Sequence, residues 1–132
     1  MTKERRPDTM VWFELPVSDL NRATNFYEAA FATKLRTDDR FPGLAIFPRS
    51  EETATTGALI SGRNPSAANA GDDSVGAIVY LNCDGQLDAV LRRAQQAGAE
   101  LLQEVAQLPG GMGWIAQFRD LDGNRIGLHA NF

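Results

Sequence analysis

Ala77-Ile-Val-Tyr-Leu-Asn-Cys83, then Asp84-Gly85, then a helical stretch from Gln86 to Ala97, decides the fold, because the first half of the chain carries the same plan. Val79, Leu81 and Cys83 fall on one face of a strand, by the alternation of side chains along extended backbone. The stretch after it carries Leu87, Val90, Leu91, Ala94 and Ala97 on one stripe, and Gly98 comes next, a residue suited to a left-handed helix stop. Earlier, Val11-Trp-Phe-Glu-Leu-Pro-Val17 alternates with Phe13, Leu15 and Val17 on one face. Ser18 or Asp19 then offers an oxygen to the open N–H groups of a helix start. The stretch Leu20 to Phe31 puts Leu20, Ala23, Phe26, Tyr27, Ala30 and Phe31 on one side. Counted from the leading leucine, both helices carry apolar residues at +3, +7 and +10.

The segments beyond each helix extend the parallel. After the first come Lys34-Leu-Arg36, Leu44-Ala-Ile-Phe47 and Gly57-Ala-Leu-Ile60. After the second come Glu100-Leu-Leu-Gln103, Gly113-Trp-Ile-Ala-Gln-Phe118 and Arg125-Ile-Gly-Leu-His129. Between the later ones lie the turns Leu108-Pro-Gly-Gly-Met112 and Asp120-Leu-Asp-Gly-Asn124. Each half is thus predicted as strand, helix and three strands. The fold class is α+β: two tandem βαβββ modules forming curved mixed sheets around a cleft, with helices on the outer faces. Residues 1–10 are expected to be a flexible tail, and residues 11–132 one domain. Its modules run over about 11–60 and 75–131, joined by a linker at 61–74 of Ser, Gly, Asn, Pro and Asp without apolar periodicity.

Phe13-Glu-Leu-Pro-Val-Ser-Asp-Leu20, Phe26-Tyr-Glu-Ala-Ala-Phe31 and Phe118-Arg-Asp-Leu-Asp-Gly-Asn-Arg-Ile-Gly-Leu-His129 together resemble the vicinal-oxygen-chelate superfamily of glyoxalases, bleomycin-resistance proteins and extradiol dioxygenases. Nearly the whole chain is covered, about residues 10 to 131. Leu121 stands where members usually carry Pro. Trp12-Phe-Glu14 and Ile126-Gly-Leu-His129 are similar to a subgroup of short glyoxalase-like proteins. Glyoxalase-type members hold a divalent metal through His, Glu or Gln on four strands, and the metal polarises the substrate's oxygens. Carried onto this chain, the four positions fall on Trp12, near Leu59 or Ile60, on Ile78 and on Gly127. None of these ligates a metal, so the resemblance implies the fold but neither a metal nor any other cofactor. The turn at Asp120 lacks calcium-loop spacing and reads as a hairpin.

Alternation turns Trp12, Glu14 and Pro16, then Ile78, Tyr80 and Asn82, and finally Gly127 and His129, toward the cleft. Around Gly113–Phe118 the phase is open: Gln117 points inward with Trp114 outward, or the reverse. Glu14 and His129 are the expected catalytic residues. In that scheme Glu14 removes a proton alpha to a carbonyl, and His129, Tyr80 or Asn82 steadies the enolate. Trp12, Tyr80, Asn82 and Gln117 are expected to touch substrate. The bland alternatives are that Glu14 and His129 pair as a structural hydrogen bond, that His129 is solvated, and that Trp12 and Tyr80 only pack. The expected function is that of a metal-independent lyase or isomerase acting on a small carbonyl or vicinal-oxygen compound. A drug-sequestering protein of the bleomycin-resistance type is the alternative.

Charge narrows the partners. With 13 Lys and Arg against 17 Asp and Glu, the net charge is −4 and there is no basic stripe for nucleic acid. No apolar run reaches the roughly 20 residues that span a bilayer. A small-molecule ligand and a homodimer partner are the expected associations, and the cytoplasm the expected location. One cysteine, Cys83, excludes an internal disulfide and reads as a buried filler rather than a nucleophile.

Overall fold

The structure is a computed structural model and describes residues 3–61 and 76–132. Of the expected linker, only Ser61 lies among them. These residues form two α-helices and seven strands in the order β1 (Met10–Pro16), α1 (Leu20–Phe31), β2 (Leu44–Ile46), β3 (Thr56–Ile60), β4 (Ile78–Asn82), α2 (Leu87–Gln96), β5 (Glu100–Gln107), β6 (Trp114–Arg119) and β7 (Arg125–Ala130), with a short 3-10 turn at Pro109–Gly111 between β5 and β6. Two compact units result. The first module runs from Trp12 to Ala77, and the second takes Ile78–Phe132 together with the chain up to Val11.

In the first module β1 pairs parallel with β3, and β2 pairs antiparallel with β3. The expected strand at Lys34–Arg36 is reduced to one bridge, Arg36 with Ile46. Its neighbours, Thr33 and the charged run from Asp38 to Arg40, give it no apolar face to bury. Asp19 caps α1 by accepting from the Arg22 N–H at 3.0 Å. The six-residue stripe expected on α1 is only partly covered, since Phe26 and Phe31 are 64% and 67% exposed. Tyr27 reaches the sheet instead, edge-on to Phe47 at 5.7 Å, and Phe47 in turn meets Phe13 at 5.6 Å. Phe31 stacks on Tyr27 at 6.2 Å rather than on the sheet.

The second module has the predicted strand, helix and three strands. β4 pairs parallel with β7, β7 antiparallel with β6, and β6 antiparallel with β5. Each module therefore joins its first strand in parallel to its last, which is the internal repeat expected from the sequence. Leu87 and Leu91 of α2 are buried with Cys83, Ala116, Leu128 and Ala130, and Leu81, Trp114, Phe118 and Ile126 pack around them. Burying each leucine contributes about 1.5–3 kcal/mol. Gly98 has φ 111°, the left-handed stop its position predicted.

Within residues 5–9 of the expected tail, hydrogen bonds reach Asn82 and Asp84. Arg5 Nε donates to the Asp84 carbonyl at 3.0 Å, the Arg6 N–H to Asp84 Oδ2 at 2.9 Å, and Asn82 N–H to the Thr9 carbonyl at 2.7 Å. The buried carboxylate of Asp84 holds the Arg6 guanidinium.

Candidate functional site

With Leu81, Cys83, Trp114, Ala116, Phe118, Ile126 and Leu128 against α2, alternation turns Tyr80, Gln117, Arg125, Gly127 and His129 to the opposite face of the second sheet. That settles the phase of β6: Gln117 lies on the Tyr80 face and Trp114 against the helix. Tyr80, Gly127 and Gln117 are register partners across three strands. Gly127 leaves a gap in that row, and the Tyr80 ring lies in it: a Cβ on Gly127 would stand 2.3 Å from Tyr80 Cδ1. Across the gap Gln117 Nε2 donates to the Tyr80 hydroxyl at 2.6 Å. Gln117 is 0% and Tyr80 2% exposed, so this is a buried bond. Gln117 Oε1 accepts from Arg125 Nε at 2.8 Å and from Arg125 Nη2 at 2.5 Å. The result is a fixed line from phenol through amide to a half-buried guanidinium. Arg125 escaped the sequence reading although it lies two residues before Gly127 and so on its face.

At the other end of this face His129 has both ring nitrogens engaged. Arg6 Nη2 lies 2.8 Å from Nδ1, and the Met112 carbonyl 2.7 Å from Nε2. A guanidinium only donates and a carbonyl only accepts, so one neutral tautomer fits, with its hydrogen on Nε2. Burial, with the positive charge of Arg6 adding to it, holds the His129 pKa below its ordinary value against the Met112 carbonyl and Asp84, which favour the proton. Asp84, 0% exposed, grips Arg6 sideways through Nε to Oδ2 at 2.9 Å and Nη2 to Oδ1 at 2.7 Å. It also accepts the Asn131 N–H at 2.7 Å. Burial pushes the Asp84 carboxyl up, but the bonds from Arg6 and Asn131 outweigh it and leave it at about 2.

Asn82 was expected to meet substrate. In this structure its Nδ2 donates to the Arg6 and Asp8 carbonyls at 2.8 and 3.1 Å, and its Oδ1 accepts the Asp84 N–H at 2.9 Å. Arg6 and Asp84 are thus the site residues that sequence reasoning missed, 78 positions apart and without a motif. His129 and Asn82 belong, in this structure, to the seat of the N-terminal segment.

In the first module Trp12 and Glu14 share the face turned from Phe13, and Trp12 Nε1 donates to Glu14 Oε2 at 3.3 Å. Their register partners on β3 are Thr56 and Ala58, with Ile60 opposite Pro16. Leu59 is therefore on the other face, and Ile60 is the residue of that uncertain pair that shares the Trp12 face. Two depressions of about 480 and 410 Å³ line α1, one at Glu28, Ala32 and Lys34 and one at Pro16, Arg22 and Phe26.

The family's metal does not fit these residues. Of the four positions, Ile78 is fully buried hydrocarbon and Gly127 lies beneath a tyrosine ring. Among the described residues no three His, Cys, Asp or Glu side chains gather. The Asp120 carboxylate accepts from the Asp122 and Asn124 N–H groups and from Asn124 Nδ2, as a hairpin turn requires. Cys83 is buried, and desolvation, with Asp84 beside it, pushes its thiol up to about 11, which makes it a poor nucleophile.

A pair of strand–helix–strand modules, each with its first and last strands parallel and a helix on one sheet face, defines the class of fold. The chain belongs to the Glyoxalase/Bleomycin resistance protein/Dioxygenase superfamily, whose profile matches residues 9–128. No curated protein matches it. Among solved structures it is similar to the Mn(II)-bound glyoxalase from Novosphingobium aromaticivorans, with TM-score 0.67 and 16% identity over 97% of this chain and 40% of that one. It is similar also to methylmalonyl-CoA epimerase from Mycobacterium tuberculosis, with TM-score 0.58 and 18% identity over 98% and 92% of the two chains. A hypothetical protein from Bacillus halodurans gives TM-score 0.65 and 14% identity over 92% of each. At these identities the likeness shows the fold.

Proposed function

We propose that this chain is a metal-independent member of its superfamily that binds a small compound bearing carbonyl or vicinal oxygens, with Arg125 supplying the positive charge that a metal supplies in glyoxalases. The observation that carries this is the buried Tyr80–Gln117 pair, which fixes the Arg125 guanidinium on the face where the family's metal position has become Gly127. Gln117 restricts the rotamers of this guanidinium, and a charge-assisted bond from a guanidinium to a carboxylate or polarised carbonyl is worth about 1.5–3 kcal/mol. Gln117 and Tyr80 act through Arg125 and are positioning residues. The test is a panel of pyruvate, methylglyoxal and its glutathione hemithioacetal, titrated in excess EDTA and followed by amide chemical shifts. Saturable binding by one of them, weakened about tenfold or more by Arg125→Gln, supports the proposal. Binding that needs an added divalent ion, or that ignores Arg125→Gln, overturns it.

A second reading, turnover as a lyase or isomerase, is favoured by one contact: the Trp12 indole orients the Glu14 carboxylate, as a general base requires. The epimerase and glyoxalase among the similar structures are enzymes of this kind by name. Glu14→Gln would then abolish turnover of a ligand that still binds. Sequestration without chemistry predicts identical binding and no product with either residue at position 14.

A further inference from the structure

We infer that Arg6, Asp84 and His129 form an acid-sensitive latch, which seats residues 5–8 on the second module while His129 is neutral and releases them when its Nδ1 takes a proton. The latch is independent of the ligand proposed for Arg125. Its basis is hydrogen count. Arg6 Nη2 has two hydrogens, one for Asp84 Oδ1 and one for His129 Nδ1. The hydrogen on Nε2 goes to the Met112 carbonyl, so the ring cannot turn over to offer a different acceptor without breaking that bond. A proton on Nδ1 would point N–H at N–H and set two cations 2.8 Å apart. Asp84 cannot compensate, because its oxygens already take the Arg6 fork and the Arg6 and Asn131 N–H groups.

The other groups around the ring do not share the titration. Asn82 and Ile115 are its register partners on β4 and β6 and carry no charge. Arg5 holds the Asp84 carbonyl, and Cys83 offers the ring strand only its backbone N–H, with its thiol in the α2 core. Release has a defined extent. Arg6 and Asp8 lose their seat on Asn82 Nδ2, while the bond from Asn82 N–H to the Thr9 carbonyl marks where the segment stays anchored. Release uncovers the Asn82–His129 end of the face that carries Tyr80 and Gln117.

The chain's single histidine makes the test direct. The ring signals of the full-length protein are titrated by NMR from pH 8 to 4.5 while exchange protection of the Arg6 amide is followed. The latch predicts a ring midpoint below the ordinary value of about 6.5, with Arg6 protection falling by up to tenfold per pH unit through that range. Leu128 protection should stay constant. His129→Asn keeps an acceptor for Arg6 and cannot titrate, so its Arg6 protection should be flat. Should that variant not fold, Arg6→Gln in its place should raise the ring midpoint. Arg6 protection unchanged across the titration in the wild type, or lost equally in His129→Asn, overturns the latch, as does a ring midpoint at or above 6.5.

Discussion

Gly127→Ala measures how tightly the Tyr80 ring fills the gap at Gly127. The new Cβ would stand 2.3, 2.5 and 2.6 Å from Tyr80 Cδ1, Cε1 and Cγ, more than 1 Å inside ordinary contact. Gly127 is not among the glycines with positive φ, so backbone strain adds nothing. Overpacking of a buried site costs about 1–3 kcal/mol. Displacing the ring also strips the buried Gln117 amide of its bond to the phenol, about another 1 kcal/mol. Alanine's smaller unfolded-state entropy returns about 0.5 kcal/mol. The net is a loss of about 1.5–3.5 kcal/mol, which lowers a urea midpoint by roughly 1–2 M at a slope of about 2 kcal/mol/M. Removing the obstacle should remove the cost: in a Tyr80→Ala background, Gly127→Ala should change stability by less than about 0.5 kcal/mol, leaving a coupling energy of about 1.5–3.5 kcal/mol. A single variant within about 0.5 kcal/mol of wild type, or additive effects in the double, would refute the steric reasoning.

Tyr80→Phe leaves the ring in place but deprives Gln117 of its acceptor, and thermal or urea unfolding should register a loss of about 1–3 kcal/mol. Asp84→Asn breaks a buried pair and should cost about 3–5 kcal/mol, read from the same curves. Stability against pH should fall in two steps. His129, held below its ordinary value, contributes fully above about pH 6.5 and loses that contribution as pH drops through its folded pKa. Asp84, held at about 2, contributes fully above about pH 4 and loses it between there and about 2. His129→Asn should erase the first step only. Cys83 should resist a thiol reagent at pH 8 in the native protein and react within the unfolding time in urea.

Alternation made much of the site legible. Tyr80, Gly127 and His129 fall on one face because every second residue must, and the sheet pairs them as that rule requires. β6 resisted the same rule, since Trp114, Ile115, Ala116, Gln117 and Phe118 give both faces large side chains. Only packing against α2 decides its phase. Helical spacing marked the apolar side of α1 but not how far it would be covered, and Phe26 and Phe31 remain exposed because Tyr27 alone meets Phe47. Arg5 and Arg6 fell within the expected tail because their partner lies far along the chain. An Asp-Gly pair reads as a turn, and nothing local tells that the Asp84 carboxylate will be buried and in need of a cation.

The most direct measurement is a calorimetric and EPR titration of the metal-stripped protein with Mn(II), the ion held by the similar glyoxalase. With Trp12, Ile60, Ile78 and a ring-covered Gly127 at the four positions that the resemblance assigns to ligands, no stoichiometric binding is predicted, and the unfolding temperature should not move. One equivalent bound per chain, with a broadened Tyr80 ring signal, would contradict the account.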